Sequence, residues 1–119
     1  MAEHNETGKQ GEAVAVEYLI SKGYEIIQTN YQARKAEIDI IARKDDWLIV
    51  VEVKTRSSAD FGNPEDFVDK KKIKLLVKAI DEFVQETDID LDIRFDIISV
   101  IKKGNEYTIE HLEDAFYHF

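Results

Sequence analysis

The sequence has no cysteine among its 119 residues, which excludes a disulfide framework, a thiol nucleophile and any thiolate-bound zinc or iron–sulfur centre. Proline occurs once, at Pro64, and the five glycines are scattered, so neither a proline-rich linker nor a glycine-rich phosphate loop can be drawn. The longest apolar run is Trp47 to Val51, far short of the roughly 20 residues a membrane-spanning helix needs. Residues 1–11 are polar and lack the apolar centre of a secretory signal, so a cytoplasmic protein with no membrane partner is expected. Basic residues are in deficit: 16 Lys and Arg against 25 Asp and Glu leave a net charge of −9. That disfavours coating nucleic acid by charge alone, because phosphate binding is driven by Lys and Arg.

A hydrophobic fraction of 44% is enough for a packed core, and the length suits one domain over residues 1–119, without repeats or low-complexity tracts. The charge is uneven. Residues 1–59 hold 10 acids and 8 bases, and residues 60–119 hold 15 acids and 8 bases. Asp81 to Asp92 contains six acids and no base, while Lys70, Lys71, Lys72, Lys74 and Lys78 cluster just before it.

Apolar spacing predicts a helix over 9–21, capped by Thr7 or Asn5, ended before Gly23 and facing inward through Ala13, Val16, Leu19 and Ile20. A strand is expected at 24–31. The next, at 36–43, alternates Ile38, Ile40 and Ala42 on one face with Glu37, Asp39, Ile41 and Arg43 on the other. After a turn at 44–46, residues 47–55 open as a continuous apolar run, the pattern of a strand covered on both faces. A turn-rich loop spans 56–66. A helix at 69–86 follows, with Ile73, Leu76, Val77, Ile80 and Phe83 or Val84 inward. Strands at 92–101 and 107–110 and a helical turn within 112–119 complete the chain. The order α-β-β-β-α-β-β predicts an α/β fold, a mixed sheet flanked by helices.

The chemistry concentrates at one hairpin. A two-residue turn at Asp45-Asp46 pairs residues whose numbers sum to 91, placing Asp39 opposite Glu52 and Glu37 opposite Lys54. Directly opposed side chains stand about 4.5–5.5 Å apart at Cβ, and like charges there repel. A hard divalent cation, Mg²⁺ or Mn²⁺, would offset the repulsion, because such ions prefer carboxylate oxygens. Two acids and Lys54 on the same strand face form a kit for metal-assisted phosphodiester hydrolysis. The plainer alternative is a solvated strand face with a Glu37–Lys54 salt bridge. Against it, Leu48 and Val50 share the face of Glu52, and Glu12 lies on the Val16 and Leu19 stripe, where a buried carboxylate needs a partner.

Gly11-Glu12-Ala13, Tyr18-Leu19, Gly23-Tyr24, Asn30-Tyr31, Glu37-Ile38-Asp39, Glu52-Val53-Lys54-Thr55-Arg56, Arg94-Phe95-Asp96, His111-Leu112 and Ala115-Phe116 together resemble the YraN-like family. That family is assigned to the restriction-endonuclease-like, or PD-(D/E)xK, superfamily. The resemblance implies that fold, a Mg²⁺-dependent nuclease chemistry on DNA, and a likeness to archaeal Holliday-junction resolvases, hence branched DNA as a substrate class. It assigns Asp39 and Glu52 as metal-binding acids, Lys54 as the catalytic lysine and Glu12 as the first-helix glutamate completing the metal site. Ala36 departs from the family's usual glycine before Glu37. Resolution of branched DNA takes two active sites, so a homodimer is the assembly expected. The net acidity leaves open a catalytically silent nucleic-acid-binding or protein-interaction module on the same fold.

Lys71, Lys74 and Lys78 fall on one helical stripe, which reads as a solvated face or as a phosphate track extended by Arg34, Lys35, Arg43, Lys44 and Arg56. Tyr31 and Phe61 are the aromatics placed for base stacking, with Trp47, Phe67, Phe83 and Phe95 assigned to the core. His4, His111 and His118 lack metal-ligand spacing, and Ser57-Ser58 lacks a nucleophile-elbow context.

Overall fold

The computed structural model describes residues 2–34, 36–57 and 69–116, with side chains from residue 8 onward. Helix α1 (Ala2–Ser21) leads into strands β1 (Glu25–Gln32), β2 (Glu37–Lys44) and β3 (Trp47–Arg56). Helix α2 (Lys70–Thr87) and strands β4 (Asp92–Lys103) and β5 (Glu106–Leu112) follow. The sheet runs in the order β1-β2-β3-β4-β5. All neighbours are antiparallel except β3 and β4, which pair in parallel from Trp47↔Asp92 to Arg56↔Ile101. A parallel pair needs a long crossover, and α2 supplies it.

Each helix covers one face. On the α2 side, Leu76, Ile80 and Phe83 pack on Ile41, Leu48, Val50 and Ile97. On the α1 side, Ala15 and Leu19 pack on Ala42, Ile49, Val51, Ile98 and Val100. Strand β3 feeds both clusters, which is why its sequence is apolar without alternation. Trp47, at its start, is 40% exposed and outside both clusters, contrary to its assignment to the core.

Helix α1 begins at Ala2, so Thr7 and Asn5 lie within it and do not cap it. Its inward stripe is Gly11, Ala15 and Leu19, while Ala13 is exposed and Ile20 is 57% exposed. The rotation relative to the expected stripe has a steric cause. A Cβ at Gly11 would lie 1.8 Å from the Thr55 hydroxyl, so only glycine lets the helix approach β3 this closely. The far end closes where Gly23 adopts φ +91, with bonds from Tyr24 N to Leu19 O and from Gly23 N to Ile20 O, both 3.0 Å. This paired pattern satisfies the last helical carbonyls. In α2, the Asp69 carboxylate accepts from the Lys72 amide at 2.8 Å and caps the first turn.

Two further expectations are corrected. Ile38 packs in the α2-side cluster while Ile40 and Ala42 pack on the α1 side, so the three do not share a face. The alternation breaks beside the last β2–β3 pair, Ile40↔Val51. After β5 the chain makes a turn at Glu113 and Asp114, where the Ala115 amide bonds the Phe95 carbonyl at 2.7 Å; the described part of 112–119 forms no helical turn.

A buried polar anchor ties α1, β4, β5 and this turn together. Asp96, fully buried, accepts from Arg94 Nε at 2.9 Å, Arg94 Nη2 at 2.8 Å and the Asp114 amide at 3.0 Å. His111 Nε2 lies 2.7 Å from the same carboxylate, and its Nδ1 lies 3.0 Å from the Tyr18 hydroxyl of α1. Burial alone would raise the Asp96 pKa; the bonds from His111, Arg94 and the Asp114 amide outweigh it and hold the carboxyl below its usual range. His111, expected as a surface or packing residue, is thus an interior link in this anchor.

The Gly11 contact yields a direct test. Gly11→Ala should cost about 1–3 kcal/mol in urea denaturation, the scale of overpacking, against a helix-propensity gain of about 1 kcal/mol. Thr55→Ala in the same chain should recover part of the loss. A Gly11→Ala protein as stable as the parent would mean that α1 sits farther from β3.

Candidate functional site

The site forms where β2 parts from β3. Their ladder runs from Lys44↔Trp47 to Ile40↔Val51, with residue numbers summing to 91 as the two-residue turn requires. Beyond that pair β3 stays with β4. In the opening, Asp39 Oδ2 accepts from the Val53 amide at 2.8 Å, so a side chain satisfies a β3 donor beyond the last ladder pair. The Asp39 and Glu52 carboxyl groups lie close enough to interact electrostatically. Two like charges so placed favour a proton on one of them.

The Asp39 pKa is pushed up to about 8. Burial is the leading cause, followed by the charge and hydrogen bond of Glu52; the Val53 amide opposes the shift and the charge of Glu12 adds to it. Glu12 reaches the same region from α1. Burial and then the charge of Glu37 raise its pKa, against a hydrogen bond with Asn30, and Glu52 contributes further. Asn30 holds φ +53, a left-handed conformation that asparagine tolerates. Glu52, with its side chain 12% exposed, forms an ion pair with Lys72 Nζ at 2.9 Å. Burial disfavours the Lys72 charge, but the bond and charge of Glu52, with Asp39 and Glu37, hold the ammonium pKa above its ordinary value.

The structure therefore brings Glu12, Glu37, Asp39, Glu52 and Lys72 into one electrostatic group. Lys54 lies two residues beyond Glu52 on the same strand face and is exposed. The expected Glu37–Lys54 cross-strand pair lies past the ladder's end, and Glu37 instead accepts from Gln32 Nε2 at 2.6 Å across β1. Ser99, the β4 residue paired with Lys54, is fully buried, and its hydroxyl has no hydrogen-bond partner among the described residues.

The basic residues divide. Lys71 and Lys74 are exposed on α2, and Arg56 is half-buried at the end of β3. Lys78 and Arg34 meet at a cavity of about 300 Å³ floored by Ala33, Ala36, Leu75 and Ala79. Lys35, Phe61, Phe67 and His118 lie outside the described residues, as does the His4 side chain. Tyr31 is not a stacking platform: it is buried, edge-on to Phe83 at 5.2 Å, with its hydroxyl 3.3 Å from Glu86. Two residues escaped the sequence reading as site members. Asn30 carried only a motif signal, and Lys72 appeared only as one of a lysine cluster.

The donor set fits a hard divalent cation. All its ligating atoms are oxygens, and a cation would offset the repulsion that Glu52 exerts on Asp39. Among the described residues no three acidic or histidine side chains form a ready metal cage, so an ion on Asp39 and Glu52 would complete its shell with water, as Mg²⁺ commonly does.

The fold and this opening define an α/β protein with a paired-carboxylate site at a strand divergence. The chain belongs to the uncharacterised protein family UPF0102, whose family model matches residues 11–100, a span that contains Glu12, Asp39, Glu52, Lys54 and Lys72. It is 62% identical over 119 residues to the UPF0102 protein of Flavobacterium psychrophilum and 56% identical over 119 residues to that of Christiangramia forsetii, each alignment covering 100% of both chains. It is 48% identical over 117 residues to the UPF0102 protein of Bacteroides thetaiotaomicron, covering 98% of this chain and 97% of that protein. No helix among the described residues is long and apolar enough to cross a membrane.

The raised Asp39 pKa carries a stability consequence with a definite sign. Between the unfolded value near 3.8 and about 8, the folded state holds a proton that the unfolded state has lost. Stability should therefore fall as pH rises through that window. In chelator, melting curves of the parent should decline from pH 5 to pH 8 relative to Asp39→Asn, which carries no such proton. Parallel pH profiles for the two proteins would contradict the raised Asp39 pKa.

Proposed function

We propose that this protein is a restriction-endonuclease-like, PD-(D/E)xK-type nuclease that hydrolyses phosphodiester bonds in DNA with Mg²⁺ or Mn²⁺, with branched DNA as the substrate class. The observation that carries the reading is the placing of two carboxyls in the opening between β2 and β3, where the Val53 amide holds Asp39 and the charge of Glu52 acts on it. Asp39 and Glu52 would hold the metal, and Glu12 would act on it from α1, directly or through water. When bound, the metal would activate a water and polarise the phosphate. The chain's own residues supply the setting: the Val53 amide fixes the Asp39 carboxyl, and Lys54, on the strand face of Glu52, would meet phosphate charge as it builds. Support also comes from the element order and from the motif resemblance around Glu37-Ile38-Asp39 and Glu52-Val53-Lys54.

The net charge of −9 favours a second reading, a catalytically silent binding module that keeps the site. A cleavage assay on linear, flapped and four-way DNA, titrated with Mg²⁺ and Mn²⁺, separates the two. Glu52→Ala should lose activity and metal affinity together. Lys54→Ala should keep the metal and lose roughly 10²-fold or more in kcat, the scale for removing one group that meets transition-state charge. Lys71→Ala should weaken DNA binding and flatten its salt slope by about one unit. Parent protein that cuts none of these substrates under either metal would leave the binding module.

A further inference from the structure

Lys72 forms an ion pair with Glu52 inside the acidic opening, and the function proposed above gives it no task. Its backbone is fixed: it sits in the first turn of α2, with its amide held by the Asp69 cap at 2.8 Å. Its side chain is not confined in the same way. The Lys72 side chain is 42% exposed, whereas that of its partner Glu52 is 12% exposed. The ammonium can therefore leave along its flexible four-carbon stem without disturbing the core, while the carboxylate stays where it is and needs a positive partner.

The groups facing Lys72 come from two strands. Glu37 and Asp39 belong to β2, Glu52 to β3, and Lys72 to α2; Glu12 of α1 faces Asp39 from beyond. A divalent ion on Asp39 and Glu52 would use the oxygen that Lys72 now contacts, or one on the same carboxylate. Two cations at that separation repel strongly, and the ammonium has water to go to. We propose that Lys72 is the site's internal counter-ion, holding Glu52 until a divalent cation displaces it toward the open side where a phosphate would approach. The inference rests on the metal-site reading above and adds to it: metal and lysine exchange at one carboxylate, so Lys72 sets the threshold for metal binding and is released by it.

Amine acylation of the full-length protein, read by mass spectrometry residue by residue, tests the exchange with the metal ion alone. Saturating Mg²⁺ should raise the labelling rate of Lys72 several-fold over chelator and leave Lys71 and Lys74 unchanged. Asp39→Asn should abolish the rise. Calorimetry with Mn²⁺ on Lys72→Met should show affinity higher than the parent by about tenfold, as expected if the competent state is a minor fraction while the lysine is bound. Lys72→Met should also melt lower than the parent in chelator, since Glu52 loses its partner. Unchanged Lys72 labelling in protein that calorimetry shows to bind Mg²⁺ would overturn the exchange and leave the metal site standing. Failure of both parent and Lys72→Met to bind either ion would overturn the metal site itself. Should Lys72→Met fail to fold, the labelling of parent protein still decides.

Discussion

Two carboxyl groups meet where β2 separates from β3, and much of the structure serves to hold them there. Like charges at such a distance push strands apart. The fold accommodates them with three local devices: the Asp39 carboxyl takes the Val53 amide, its raised pKa favours the neutral form, and Lys72 pairs with Glu52. None of these neutralises the group fully, since Glu12 and Glu37 add further negative charge. A stable core built only for packing would gain by replacing such a pair with apolar residues. Their persistence in this opening is what gives the site its chemical character.

The frame around the opening works at a distance. Gly11 lets α1 lie close against Thr55 of β3, and Glu12 is the next residue, so the same approach that packs the helix brings a carboxylate toward the site. Farther along α1, Tyr18 is bonded to His111 and through it to Asp96, whose three partner residues join β4, β5 and the turn after β5. The helix is thus fixed at two points, one steric and one polar. Breaking one partner out of a buried charged network of this kind is costly, because the remaining charge is left unpaired.

The hairpin was legible because it is local. A two-residue turn sets the register, and the register sets which residues oppose each other, so the pairs from Lys44–Trp47 to Ile40–Val51 could be read from the sequence alone, and with them the nearness of Asp39 to Glu52. The α/β order was legible from runs of β-branched residues and two amphipathic stretches. The phase of α1 was not, because Ala13 and Ile20 look like core residues and Gly11 does not; its part is set by Thr55, far along the chain. Strict alternation misplaced Ile38, since it presumes a ladder that continues past Ile40, and the ladder ends there. Lys72 was hidden for a related reason. Its contact with Glu52 depends on how α2 crosses the sheet, which spacing within either segment does not encode.

The most direct measurement is a Mn²⁺ titration of isotope-labelled protein followed by amide NMR. Paramagnetic broadening falls steeply with distance from the ion, so it locates the ion without assuming any activity. The account predicts that broadening begins at Val53, Glu52 and Ile40, spreads next to the first turn of α2, and disappears in Asp39→Asn. Broadening centred on the acidic stretch from Asp81 to Asp92, or broadening in Asp39→Asn equal to that in the parent, would contradict it.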